Sequence, residues 1–311
     1  MRSAGSAGCA TIPYLGLIRS FSHTDFPLEL LLERKTVPIS VVLPAREVAE
    51  TVGSIVERVL GLGGLADQVL VVDAASKDGT ADAAARAGAE VVQEAELMPE
   101  FGRALGKGDA MWRALSAVRG ELVLYLDADT RDFQVQFATG LLGPLVVHPE
   151  VQLVKGNFER PYVLESGARH PREGGRVTEL AARPLLSAFY PELAAFGQPL
   201  AGEVAARRTL LESIPFSTGY AVETAMLLDA RDAVGVDALA QVHLGERLNR
   251  HQPLPELGPM AYAVLRVILE RLRREGRLLD DHAPPLQAAD GRLVQVELVE
   301  RPPFVSLRAP A

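Results

Sequence analysis

What most restricts the folds open to this chain is a rhythm in its first half, where short apolar runs alternate with segments of helical spacing. VPISVVLPA (37–45), QVLVVD (68–73), Glu90 to Gln93 and Glu121 to Asp127 read as strands. Between them, Glu47 to Leu60 puts Val52, Ile55, Val56 and Val59 on one helical face. Thr80 to Ala87 is an alanine-rich helix closed by Gly88, and Asp109 to Val118 is a third helix. Strands of this kind, separated by helices, pack as a parallel sheet covered on both faces. The predicted class is α/β, with a Rossmann-like, mostly parallel sheet. Ligands of such sheets gather at the carboxyl ends of the strands. Pro44–Ala45, Asp73 and the pair Asp127 and Asp129 all fall at such ends.

Residues 1–36 read as an N-terminal extension carrying FPLELLLERK, a short amphipathic helix packed on the outside. Residues 37–150 form one subdomain and 151–285 a second, leaving 286–311 as a tail. In the second subdomain VQLVKGNFERPY (151–162) is a strand and ARHPREGGRVT (168–178) a basic, glycine-rich loop. Glu179 to Phe189 is helical, GQPLAGEVAARRTLLES (197–213) mixes a turn with a helix, and Tyr220 to Leu228 is helical. His243 to Leu254 is polar and loop-like, and Met260 to Arg274 is an amphipathic helix. Arg292 to Glu300 is a strand-like tail able to pair at a sheet edge or with another subunit.

The 311 residues are 48% hydrophobic and 23% charged, enough for a sizeable core. A net charge of −8 argues against a general nucleic-acid binder, which needs a basic surface. The lone cysteine, Cys9, permits no disulfide within the chain and makes the cytoplasm the expected compartment. No run of 18 uncharged apolar residues occurs, so no membrane span is expected.

LYLDADT (124–130) ends an apolar strand with two acids one residue apart. Positions two apart on a strand share a face, so the carboxylates repel. The arrangement becomes favourable when one acid binds a hard divalent cation and the other takes a different donor. Mg²⁺ and Mn²⁺ suit oxygen ligands and keep positions open for substrate phosphates. Further on, Gly174, Gly175, Arg176, Val177 and Thr178 stand just before a helix. Backbone N–H groups there favour an anion, and Arg176 adds a fork for phosphate or carboxylate. His243 and His251 are the histidine candidates for a metal, with His251 preferred and His243 read as structural at the end of a strand.

LPAREVAETVGSIV, VVDAASKDGT, GKGDAMWRAL and LYLDADT together resemble the nucleotide-sugar half of a glycosyltransferase with the A-type fold. GGRVTELAARPLL, QPLAGEVAARR, PFSTGYAVE and DALAQVHLGERLNRHQPL extend the likeness to glucosyl-3-phosphoglycerate and mannosyl-3-phosphoglycerate synthases. The resemblance implies a retaining, metal-dependent hexosyltransferase with an acceptor-binding C-terminal half. The hexose moves from GDP-mannose, GDP-glucose or UDP-glucose to 3-phosphoglycerate, giving a compatible-solute precursor. Ala128, where glucosyl relatives tend to carry serine, leans the donor toward mannose and GDP.

Residue by residue, the resemblance puts Pro44, Ala45 and Glu47 beside base and ribose, with Ala75 or Ser76 closing that pocket. Lys107 meets the nucleotide, Asp127 and Ala128 lie near the ribose, and Asp129 binds Mg²⁺ or Mn²⁺. Gly175, Arg176, Val177, Thr178 and Asn249 take the acceptor. In Asn249-Arg250-His251 the family's order of histidine and asparagine is swapped. Either His251 reaches the metal and Asn249 the acceptor, or the site has changed its ligands. Lys107 and Arg250 would stabilise the leaving diphosphate, and Glu223, or Glu203, would contact the donor sugar. Relatives work as dimers, so a homodimer is expected. The alternatives are a polymer-forming or other small-acceptor glycosyltransferase, and a nucleotide-sugar-binding protein without turnover. A nicotinamide dehydrogenase is disfavoured, because the first strand is followed by no glycine-rich turn.

Overall fold

The computed structural model describes residues 18–160, 162–163, 169–170, 175–247, 253–278, 286–287, 293–294 and 298–307. Eight strands form one sheet: β1 (Arg19–Ser22), β2 (Ile39–Ala45), β3 (Gln68–Asp73), β4 (Glu90–Gln93), β5 (Leu122–Tyr125), β6 (Leu153–Glu159), β7 (Val204–Arg207) and β8 (Leu239–Glu246). Their spatial order is β1-β8-β6-β7-β5-β2-β3-β4. All neighbours are parallel except β7, which runs antiparallel to both β5 and β6. One sheet therefore runs through both stretches read as separate subdomains.

Alternation along the strands builds two cores. Val42, Leu70, Val72, Val123 and Tyr125 face one side; Val41, Leu43, Val69, Val71, Leu122 and Leu124 face the other. The second side is covered by α2 (Ala49–Leu60), α3 (Thr80–Arg86) and α5 (Gln136–Val147). The predicted face of α2, Val52, Ile55, Val56 and Val59, is buried there. The first side is covered by α4 (Lys107–Ala114), α6 (Arg183–Phe189), α7 (Arg208–Ser213), α8 (Val222–Val234) and α9 (Leu254–Arg274). The apolar stripe of α9, including Val264, Val267 and Ile268, is spent inside its own chain.

Four expectations need correction. Part of the outer extension belongs to the sheet, because Arg19–Ser22 pairs with Ala240–His243; the short helix α1 (Leu28–Arg34) is where it was predicted. The polar segment from His243 begins as strand, because His243 and Glu246 continue the pairing of β8 with β6. GEVAARR holds a central strand rather than only a turn and helix. Its alanines, flanked by strands on both sides, need no bulky side chains to be buried. The tail is not one strand: Glu300–Arg301 pairs antiparallel with Phe216–Ser217 of the same chain, and Leu293–Val294 pairs with Leu286–Gln287. No helix among the described residues is long and apolar enough to cross a membrane.

Candidate active site

β2, β3 and β5 end side by side, and the loops leaving them are locked by their own side chains. Asp73 accepts from Ser76 N (3.2 Å) and Gln93 Nε2 (3.0 Å). The Glu47 backbone N–H donates to Ser76 Oγ at 2.9 Å, and the Glu47 carboxylate accepts from Lys77 N at 2.9 Å. Glu47 and Ala75 both hold positive φ, 53° and 56°, outside the region non-glycine residues prefer. Such strain persists only where the surroundings over-determine it, and the two loops do so by pinning each other. Pro44, Ala45, Glu47, Ala75 and Ser76 thus line one edge of the rim.

The β5 end is the electrostatic centre. Asp127 Oδ1 pairs with Lys107 Nζ at 2.5 Å, and Oδ2 accepts from Arg247 Nη2 at 3.0 Å. Lys107, at the start of α4, also reaches Glu223 at 3.1 Å. Arg247 binds Glu203 and donates to Thr130 Oγ1 at 3.0 Å. Burial opposes charge on these groups. Even so, Asp127 and Glu223 hold the Lys107 ammonium above its ordinary range, and Lys107 and Arg247 hold the Asp127 carboxyl well below its own. Asp129 differs. Its side chain is 73% exposed, and Arg247 is 3.8 Å away. One acid is therefore neutralised within the protein while its neighbour presents a carboxylate to solvent, which resolves the repulsion between them. A single exposed carboxylate suits a divalent ion that must keep positions open for substrate oxygens.

The backbone closes on this centre. A Cβ on Gly202 would lie 2.2 Å from Lys107 Nζ and 2.3 Å from Asp127 Oδ1, so any other side chain there would push the ion pair out of place. Lys155, buried on β6, donates through Nζ to the Ala201 carbonyl next to it, and burial pushes its ammonium down to about 8. Glu203 is 1% exposed, and burial pushes its carboxyl up against the pull of Arg247. It is paired with the equally buried Arg247, so of the two acids read as sugar contacts only Glu223 keeps part of its side chain exposed.

Gly175 of the GGRVT motif meets the same centre through Arg160. The Arg160 guanidinium stacks on the Phe158 ring at 5.0 Å, and Arg247 sits over that ring at 5.4 Å. A Cβ on Gly175, whose φ is +74°, would be 3.6 Å from Arg160 Cδ. Arg176 and Val177 are half-buried and already helical, and Thr178 is buried at the head of a π-helical turn, Thr178–Ala182. The helix thus begins earlier than Glu179. Asn249, Arg250 and His251 lie outside the described residues. Arg247, Gly202, Lys155 and Arg160 escaped the sequence reading. Gly202 was visible only as the glycine of AGE, and Arg247 only as one charge in a polar segment.

The family described as Glycosyl transferase family 2 matches residues 40–136. The chain is 44% identical over 295 residues to the glucosyl-3-phosphoglycerate synthase of Mycolicibacterium smegmatis, covering 92% of this chain and 95% of that one. It is 38% identical over 308 residues to the synthase of the same name from Petrotoga mobilis, covering 94% of each. Among solved structures, mannosyl-3-phosphoglycerate synthase from Rubrobacter xylanophilus gives a TM-score of 0.85 at 51% identity, over 93% of this chain and 97% of that one. Glucosyl-3-phosphoglycerate synthase from Mycobacterium tuberculosis, in complex with Mn²⁺, UDP-glucose and phosphoglyceric acid, gives 0.83 at 38% identity. That match covers 94% of this chain and 99% of the other.

Proposed function

The chain belongs to the glucosyl-3-phosphoglycerate synthase family, and we propose that it transfers glucose or mannose from a nucleoside diphosphate sugar to 3-phosphoglycerate with retention. The observation that carries this reading is the joining of two half-sites. Through Arg160 and Phe158, the anion-type loop at Gly175 abuts the Arg247–Asp127–Lys107 centre at the strand ends.

Each residue has a part in that reaction. The loops of Pro44, Ala45, Glu47, Ala75 and Ser76 take base and ribose, with Asp127 and Ala128 beside them. Lys107 and Arg247 lie where negative charge grows as the sugar–phosphate bond breaks, and the family resemblance gives Arg250 the same part. Glu223, already paired with Lys107, hydrogen-bonds donor sugar hydroxyls. Gly175, Arg176, Val177, Thr178 and Asn249 hold the phosphate and carboxylate of the acceptor, as a fork and N–H groups can. Holding the acceptor hydroxyl on the face of the departing diphosphate gives retention by positioning. Mg²⁺ or Mn²⁺ would be held by Asp129 and His251, and when bound it supplies charge for the leaving diphosphate.

On this reading residues 37–150 form the nucleotide-sugar-binding subdomain and 151–285 the acceptor-binding one, which also lends Glu223, Arg247, Arg250 and His251 to the donor. The cytoplasm is the proposed compartment, and a homodimer the proposed assembly, to be checked by light scattering. The decisive assay offers purified protein, 3-phosphoglycerate and Mg²⁺ or Mn²⁺ with GDP-mannose, GDP-glucose and UDP-glucose in turn. Phosphorus NMR should find a hexosyl-3-phosphoglycerate with at least one donor, and no product with any of them overturns the reading. The donor with the highest kcat/KM decides between glucose and mannose.

A further inference from the structure

Lys107 and Glu223 are 3.1 Å apart at the starts of two helices, α4 and α8, that are 116 residues apart in sequence. Both helix starts are tied to one short piece of the C-terminal segment. On the Glu223 side, Glu300–Arg301 pairs with Phe216–Ser217, and Thr218 donates to the Val299 carbonyl through N (2.9 Å) and Oγ1 (3.0 Å). Gly219–Ala221 then leads directly into α8. On the Lys107 side, Arg301 donates to both Asp109 oxygens, from Nε at 2.7 Å and Nη2 at 2.9 Å, and to the Phe101 carbonyl at 2.8 Å. Asp109 also accepts from Leu105 N at 2.9 Å and Arg113 Nε at 3.1 Å. Arg113 in turn holds the carbonyls of Leu97, Met98 and Gly102.

The whole loop before Lys107 is therefore gathered onto two guanidinium groups. The Arg301 guanidinium lies over the rings of Phe101 and Trp112, which meet edge to face, and Trp112 Nε1 donates to the Pro302 carbonyl at 3.0 Å. Between the two arms there is no slack. A Cβ on Gly108 would be 2.0 Å from Ser217 O, and one on Gly106 would touch Gly219.

We propose that Val299–Pro302 is a brace that fixes the spacing of the two helix starts, with Arg301 as a positioning residue for the Lys107–Glu223 pair. The segment touches both arms and neither half of the pair itself, so it acts through Asp109 on one side and the Phe216–Thr218 backbone on the other. A buried bidentate guanidinium–carboxylate contact is directional, and a lysine in its place keeps the charge but not the fork.

The catalytic consequence rests on the hexosyl-transfer reading, so the test has two arms. In the kinetic arm, Arg301→Met should lower kcat at least tenfold and raise the donor KM, with the acceptor KM within twofold. Arg301→Lys should recover part of kcat. Wild-type kcat in Arg301→Met, or equal rises in both KM values, overturns the proposal. Should Arg301→Met not fold, Trp112→Phe and Thr218→Val test the two arms more gently. Each should lower kcat two- to fivefold with the same split, and wild-type kinetics in both overturn it. The second arm needs no turnover: hydrogen exchange of the intact protein. In Arg301→Lys the amides of 97–106 and of 217–223 should quicken together. Loosening of 97–106 alone refutes the brace, whatever reaction the protein performs.

Discussion

The two sides of the candidate site are built in opposite ways. On the donor side the site comes from consecutive residues. Strands end, loops leave, and Asp73, Ser76, Glu47 and Lys77 hold one another within about thirty positions. On the acceptor-facing side, where Arg247 reaches across to the place of the donor's diphosphate, it comes from residues distant in sequence that meet only in the folded chain. Arg247 finds Asp127, Thr130 and Glu203, while Arg160 lies against Gly175. A site of the first kind is written as a motif; one of the second kind is written as burial. The nucleotide loops should therefore tolerate changes elsewhere in the chain, whereas the contacts of Arg247, like the Lys107–Glu223 pair braced by Val299–Pro302, should not.

Four experiments break or sharpen that contrast. The largest effect is expected on the donor side, where Asp129→Ala should cut kcat at least about a thousandfold, roughly 4 kcal/mol of transition-state stabilisation. Measured at saturating Mn²⁺ with an unchanged circular dichroism spectrum, residual activity above a tenth of wild type would remove Asp129 from its role. Next comes the seam between the sides. Gly202→Ala puts a methyl into the Lys107–Asp127 pair and should cost about 10- to 100-fold in kcat/KM, through strain of a few kcal/mol at most. Wild-type kinetics would mean that the placement of this pair is not critical to turnover.

A smaller and selective effect is expected from Arg176→Ala, which should raise the acceptor KM about tenfold and leave the donor KM within twofold. Equal changes would deny the separation of sides. The smallest effect concerns stability. Burial, with Asp109 adding repulsion, pushes the Glu94 carboxyl up to about 7. A folded carboxyl with a raised pKa binds its proton more tightly than the unfolded chain does. Its contribution is present below the unfolded value near 4.5 and lost as pH rises toward 7. Glu94→Gln should therefore stabilise the protein at pH 8 by about 1–3 kcal/mol and make little difference at pH 4. Denaturant titrations at the two pH values check this, and an equal effect at both refutes it.

How much could be read beforehand follows the same division. The runs ISVVL and QVLVV announce buried parallel strands because β-branched residues fill both faces, and the helix at 49–60 follows from its apolar spacing. Asp127 and Asp129 were legible as a pair because an apolar strand ran straight into them. Val204–Arg207 was not legible as a strand. Two alanines carry no period, and the evidence that the segment is central lies in β5 and β6, well away in sequence. Glu203 read as a sugar contact because nothing local reveals that it is buried in an ion pair with Arg247. Gly202 could be seen only once the Lys107–Asp127 pair was in place beside it.

The position of β7 bears on how the molecule is made. It stands between β5 and β6, yet both are translated before it, and β1 must wait longer still for β8. While the chain emerges from the ribosome, the inner edge of β5 therefore stays open, offering unpaired N–H and C=O groups until residue 207 has cleared the exit tunnel. That open edge is a seat for chaperones or for a neighbouring nascent chain, and slow synthesis between residues 126 and 207 would prolong the hazard.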